Sequence, residues 1–137
     1  MIKPNRHEAA ELLGFEIEDM EAACRASRQM AREKIALAVI SLGSEGIVAS
    51  SSTTTQFAAP PPVEVRNPTG SGDCLVGGFA HGLERRLPPE QTIRIGVACG
   101  AANAASDATG ANDAALVKGL ENRVRIDEGK SNASTGC

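Results

Sequence analysis

Seven consecutive residues, Asn67-Pro68-Thr69-Gly70-Ser71-Gly72-Asp73, combine what chemistry on a phosphate requires. The start of a helix leaves backbone N–H groups without partners and carries a partial positive charge. Glycines at such a start admit a phosphate close to the backbone, so Gly70, Ser71 and Gly72 could form an anion cradle. Asp73, in the first helical turn, could accept a proton from an alcohol as the alcohol attacks phosphorus. The run is not a Walker A loop, which needs a Lys, nor is it GxGxxG. A glycine turn in which Asp73 complements the helix dipole explains the same residues without chemistry. On the residues alone, both readings stand.

Three further groups carry weaker signals. In Lys3-Pro4-Asn5-Arg6-His7-Glu8, Asn5 and Glu8 lie three apart on one face of a first helical turn. They could organise hydrated Mg²⁺ and nucleotide phosphates, or simply form a capping box. Ser41-Leu42-Gly43-Ser44-Glu45-Gly46 reads as a tight hairpin between two strands. Ala98-Cys99-Gly100-Ala101-Ala102-Asn103-Ala104-Ala105 forms a small-sided helix, open to close approach by another helix or by a flat ring. Gly77-Gly78 in the preceding helix suggests the same demand for thinness, since each costs about 1 kcal/mol relative to Ala. His7 and His81 read as surface residues, and Cys74 as incidental despite its place beside Asp73.

These groups need elements to hold them. Apolar spacing predicts helices over 5–14, 18–34, 72–86, 90–106 and 113–120. Strands are expected at 36–42, 47–50, 56–58, 63–65 and 124–126, and 36–42 has the continuous apolar character of a strand buried on both faces. Pro60-Pro61-Pro62 must be extended and unpaired. The glycine turn would then follow a strand directly. Almost no strand precedes the helix at Asn5, which suggests a sheet incomplete at its N-terminal side. Residues 127–137 read as a frayed tail.

The bulk properties narrow the field. The 137 residues are 42% hydrophobic and 23% charged, a globular composition with room for one domain. A net charge of −3 disfavours a nucleic-acid partner, and no apolar run is long enough to cross a bilayer. Cys24, Cys74, Cys99 and Cys137 form no CxxC pair and read as reduced thiols of a cytoplasmic protein. Aromatic residues make up only 2%, so Ala, Val, Ile and Leu must build the core. Such a chain suits a piece of something larger.

In order, KPNRHE, SLGSEG, NPTGSGD and ACGAANAAS resemble the C-terminal half of the PfkB carbohydrate kinase family. They are most similar to its 1-phosphofructokinase and tagatose-6-phosphate kinase branch. The resemblance covers residues 2–110. It implies a ribokinase-like three-layer α/β/α fold with a mostly parallel sheet, the kinase half spanning 1–126. It also implies ATP-dependent phosphorylation of a sugar or sugar-phosphate hydroxyl with Mg²⁺. Asp73 matches the family's catalytic base, and Gly70, Ser71 and Gly72 its anion hole. Asn5 and Glu8 match an Asn-x-x-Glu motif for ATP phosphates and magnesium. Ser41, Leu42, Gly43, Ser44, Glu45 and Gly46 match the nucleotide loop, and Asn103 falls where the family lines the adenine pocket. Asn67 stands where ribokinase-type members carry Asp.

The half that supplies the family's sugar pocket and lid has no counterpart in these residues. The expected partners are therefore ATP, a sugar phosphate, and either the missing half or a second copy through an open sheet edge. Two rival readings remain: a non-catalytic nucleotide-binding or structural remnant, and a kinase of the same family acting on a nucleoside or free sugar.

Overall fold

In the computed structural model, residues 1–32, 35–110 and 113–128 are described. They form two compact units: Met1–Ala58 with the C-terminal residues from Asp127, and Ala59–Ile126.

In the first unit, helix α1 (Arg6–Leu13) starts at Asn5, whose side chain caps it. It ends at Gly14, held at φ 75°, a left-handed conformation that glycine adopts without a Cβ penalty. Helix α2 (Met20–Arg32) buries Ala22, Ala23, Cys24, Ala26, Ser27, Met30 and Ala31. Asp19 accepts the Ala22 N–H at its start, at 2.7 Å. The expected end of this helix at Lys34 lies outside the described residues.

Strands β1 (Ala38–Ser41), β2 (Ile47–Ser50), β3 (Thr55–Ala59) and β4 (Arg125–Glu128) form one sheet in the order β1-β2-β3-β4. Both β1–β2 and β2–β3 are antiparallel, where a mostly parallel sheet was expected. The physical reason lies in the connections. Leu42–Gly46 and Ser51–Thr54 are far too short for the crossover that parallel neighbours need. Parallel pairing occurs where Ile2 bridges Ala38 and Asn5 bridges Ser41. There, Ile2 N–H donates to the Leu37 carbonyl at 3.0 Å and Ser41 N–H to the Pro4 carbonyl at 3.1 Å. The segment from Ile2 to Asn5 thus acts as the lead-in that the sequence reading held to be nearly missing.

The core of this unit is made of small side chains: Ala9, Ala23, Ala26 and Ala38 are fully buried with Ile40 and Val48, while Phe15 and Phe57 pack at its margin. Ala38, Val39 and Ile40 are all buried in succession, as expected for a strand covered on both faces. A line of hydroxyls crosses the interior. Ser27 Oγ lies 2.6 Å from Ser50 Oγ, which lies 3.0 Å from Thr55 Oγ1, itself accepting from Arg28 Nε at 3.0 Å. Each buried oxygen is thereby satisfied.

The second unit is helical: α3 (Ser71–Glu84), α4 (Pro89–Ala105) and α5 (Ala114–Glu121). A strand at 63–65 is not formed. The prolines at 60–62 lack ladder donors, and the Arg66 and Asn67 N–H groups bond the Ala104 carbonyl at the end of α4, at 2.7 and 3.1 Å. The glycine turn therefore follows an extended segment docked on α4, not a strand. Helices α3 and α4 approach closely. A Cβ at Gly78 would stand 2.7 Å from the Gly96 Cα, and a Cβ at Gly96 would run into the Phe79 ring. The thinness inferred for Gly77 is not needed, since a Cβ there would meet open space.

The last strand extends to Glu128, so Asp127 and Glu128, expected in a frayed tail, are strand residues; 129–137 lie outside the described residues. Cys74 and Cys99 are free thiols, but Cys24 is disulfide-bonded, which corrects the expectation of reduced cysteines at that position. Cys137 lies outside the described residues. No described helix is long and apolar enough to cross a membrane.

Candidate functional site

In the first unit, the bland reading of Asn5 and Glu8 is realised in full. Asn5 Oδ1 accepts the Glu8 N–H and Glu8 Oε2 accepts the Asn5 N–H, both at 2.8 Å. Both residues are exposed. This reciprocal cap occupies one carboxylate oxygen of Glu8, and its other oxygen has no hydrogen-bond partner among the described residues. Mg²⁺ prefers oxygen ligands and retains waters when only one or two carboxylates serve it, so this donor set fits a hydrated ion. Among the described residues, no group of three or more His, Cys, Asp or Glu side chains could hold a metal by itself.

The same unit brings the Ser41–Gly46 loop alongside. Asn5 is bridged to Ser41, and Lys3 Nζ reaches Ser41 Oγ at 3.5 Å. Arg6 pairs with Glu45 at 2.8 Å, tying the start of α1 to the hairpin. Being substantially exposed, this ion pair contributes little energy and mainly orients the loop. The loop is a single tight turn, with Leu42 N–H bonded to the Gly46 carbonyl at 2.8 Å and Gly46 at φ 117°. Leu42 and Gly46 are buried, whereas Gly43, Ser44 and Glu45 are exposed. Lys3 and Arg6 were not singled out in the sequence; their role comes from pairing between segments about 40 residues apart, which no local pattern reveals.

In the second unit, Gly70 caps α3 in the left-handed conformation, φ 81° and ψ 0°. No side chain caps this helix, whereas α1 and α5 are capped by Asn5 and Asp113. The Ser71 N–H donates to the Pro68 carbonyl at 3.2 Å, so the Gly72 and Asp73 amides are the ones this start presents to an anion. Gly72 and Asp73 are exposed at this end, and Ser71 is half-buried. The anion-cradle residues and the candidate base are therefore contiguous and open.

Behind them sits Asn103, fully buried. Its Nδ2 donates to the Thr69 carbonyl at 2.9 Å and to Ser71 Oγ at 3.0 Å, with the Asn67 carbonyl at 3.4 Å. Its Oδ1 accepts the Gly110 N–H at 2.7 Å and Cys74 Sγ at 3.4 Å. The expected place of Asn103 on a nucleotide-pocket wall meets a side chain with no exposed surface and all its polar atoms engaged. Thr109 and Gly110 were also missed in sequence. Asn67 Nδ2 donates to Thr109 Oγ1 at 2.8 Å, and a Cβ on Gly70 would stand 2.6 Å from Thr109 Cγ2. Burial raises the Cys99 thiol pKa, and the neighbouring Cys74 and Glu121 push it the same way.

Comparison with known proteins bears on both clusters. Residues 1–115 match the profile of the pfkB family carbohydrate kinases. The 1-phosphofructokinase of Escherichia coli K12 is 32% identical over 126 residues, which cover 92% of this chain and 40% of that protein. The tagatose-6-phosphate kinase of Staphylococcus epidermidis is 34% identical over 111 residues, covering 80% of this chain and 36% of the relative. Among solved structures, phosphofructokinase-2 from Escherichia coli superposes with a TM-score of 0.82 at 26% identity, over 88% of this chain and 39% of that one. The chain thus spans about two fifths of the length of these relatives.

Proposed function

Because this chain belongs to the pfkB family of carbohydrate kinases, we propose that it supplies the nucleotide site and catalytic base of an ATP-dependent hexose-phosphate kinase. One observation carries the reading: α3 starts without a side-chain cap, with Gly70 left-handed and the Asp73 carboxylate exposed in its first turn. In this scheme the Asp73 carboxylate takes the proton of a sugar hydroxyl while the hydroxyl oxygen bonds to the γ-phosphorus and ADP leaves. Of the anion-hole residues Gly70, Ser71 and Gly72, the Gly70 and Gly72 amides would face the charge that develops on the phosphoryl oxygens, since the Ser71 N–H already donates to the Pro68 carbonyl. Phosphoryl transfer depends chiefly on such positioning and charge stabilisation.

Asn5 and Glu8 would hold hydrated Mg²⁺, which supplies neutralisation of the phosphate charge when bound. The exposed part of the Ser41–Gly46 loop, on the same unit as Asn5, would contact the nucleotide. The acceptor pocket, and the rest of a ribokinase-like α/β/α domain with its parallel strands, belong to the part of the relatives that this chain does not match. The complementing partner is such an N-terminal half, or a second copy in its place. Cytoplasmic placement, beside soluble sugar phosphates, is part of the same reading.

The test is transfer of phosphate from MgATP to fructose 1-phosphate, fructose 6-phosphate or tagatose 6-phosphate. The chain alone is expected to turn over little, and activity should appear when the N-terminal half of a relative is added. Robust turnover by the chain alone would overturn the division of labour. Acceptance of a nucleoside or free sugar in place of the phosphates would move the reading to another acceptor class. The rival reading is a non-catalytic, nucleotide-binding role. It predicts that the reconstituted pair binds nucleotide without transferring phosphate.

A further inference from the structure

Two segments meet at the candidate anion turn, 67–71 and 109–110, and among the described residues no backbone hydrogen bond joins them. Two side-chain links do: Asn67 Nδ2 donates to Thr109 Oγ1 at 2.8 Å, and one buried amide spans both segments. Asn103 donates from Nδ2 into the first segment, at the Thr69 carbonyl and Ser71 Oγ. It accepts at Oδ1 from the second, at the Gly110 N–H. A primary amide offers two donors and a two-lone-pair acceptor, so these contacts, with Cys74 Sγ as the second donor to Oδ1, use its full capacity. With no surface exposed, it has no polar atom to offer a ligand.

We propose that Asn103 is a positioning residue that sets the anion turn against α4 and the Thr109–Gly110 loop, acting on a bound phosphate only through that turn. The left-handed Gly70 sits where this clamp closes. Thr109 Cγ2 fills the space a Cβ would take, and Asn67 Nδ2 bonds Thr109 Oγ1 on the far side. The clamp fixes the direction in which the Gly72 and Asp73 amides, and the Asp73 carboxylate, face. Loss of the Nδ2 donors alone should release the turn without releasing Gly110, since only the first segment depends on them. The effect on phosphate rests on the nucleotide reading above; the clamp itself does not.

The chain and its Asn103→Asp variant are compared at neutral pH by residue-resolved amide hydrogen exchange and by MgATP titration. Asp keeps the shape and the acceptor for Gly110 while removing both donors. Exchange at the Thr69 and Ser71 amides, which donate to Asn67 Oδ1 and the Pro68 carbonyl, is expected to accelerate at least about tenfold, with Gly110 protection and total helix content retained. MgATP affinity should fall by about tenfold, the equivalent of roughly 1.4 kcal/mol. Unchanged exchange at these two amides overturns the proposal, whatever the affinity does. An affinity loss with unchanged exchange would instead place Asn103 against the nucleotide. If the unsubstituted chain does not bind MgATP, the nucleotide reading fails by itself and the exchange arm still decides the clamp. Should Asn103→Asp not fold, Ser71→Ala removes one acceptor at the surface of the turn. Its exchange at the same two amides should then rise about threefold, and no rise overturns the clamp.

Discussion

Asp73 and Glu8 are both exposed carboxylates in the first turn of a helix, yet they call for different tests. Asp73 caps nothing, because the start of α3 has no side-chain cap. Asp73→Asn in the reconstituted kinase is expected to abolish transfer while sparing MgATP affinity, read by product formation and titration calorimetry. Retained turnover would remove it from the base role. Glu8 already has a structural duty in the capping box with Asn5. Glu8→Gln keeps an acceptor for the Asn5 N–H and discards the charge. Thermal stability should therefore change by less than about 0.5 kcal/mol, whereas the Mg²⁺ dependence of ATP binding should weaken. Asn5→Ala, by contrast, should cost about 0.5–2 kcal/mol in unfolding free energy through the lost cap. Equal effects of Glu8→Gln and Asn5→Ala on stability would reduce the pair to capping alone. At this scale the sequence was most informative. Asn67 to Asp73 and Asn5 to Glu8 are contiguous, and their helix-start geometry follows from residue type. Asn103 was legible as a position but not as a role, because the anion turn it holds lies 32 to 36 residues away in sequence.

Among the elements, the crossing of α3 and α4 is the tightest constraint. Gly78→Ala would press a Cβ to 2.7 Å from the Gly96 Cα, a backbone atom that cannot swing aside. It should destabilise the second unit by about 1–3 kcal/mol in chemical denaturation. Gly77→Ala, one residue earlier and facing open space, should be neutral or stabilising by a few tenths of a kcal/mol from helix propensity. A comparable loss at both would mean that the helix and not the crossing is at fault. Helices were well anticipated here, since caps and breakers such as Gly14, Pro88-Pro89 and Asp113 act locally. Strands were less so. The segment at 63–65 has strand-like residues, but its neighbouring amides bond the end of α4. The antiparallel direction of the described strands was not legible, because direction is set by connection length and not by strand composition.

For the molecule as a whole, ligand linkage and proton linkage give two measurable responses. MgATP at about 100 times its dissociation constant should add roughly 2.7 kcal/mol of stability, seen as a concentration-dependent rise in Tm. No rise would favour a structural remnant. The raised pKa of Cys99 means that the folded chain holds this thiol proton more tightly than the unfolded one. Its contribution is thus fully present below the ordinary thiol range and is lost as pH rises through the folded value. Unfolding midpoints should decline above about pH 8.5, and Cys99→Ser should flatten that decline. An identical slope in the variant would assign the alkaline loss to other groups.

The alanine-rich interior of the first unit has a consequence for how the protein tolerates change. Ala9, Ala23, Ala26 and Ala38 have only a methyl group to lose, so truncation removes little and leaves almost no void. Enlargement, in contrast, has nowhere to go in a close-packed interior. The spectrum of harmful substitutions should therefore be one-sided, dominated by bulk gained and not by bulk lost, the inverse of a core built on leucine and phenylalanine. Drift at these sites is confined to the smallest residues, and compensating pairs must shrink one neighbour before the other can grow.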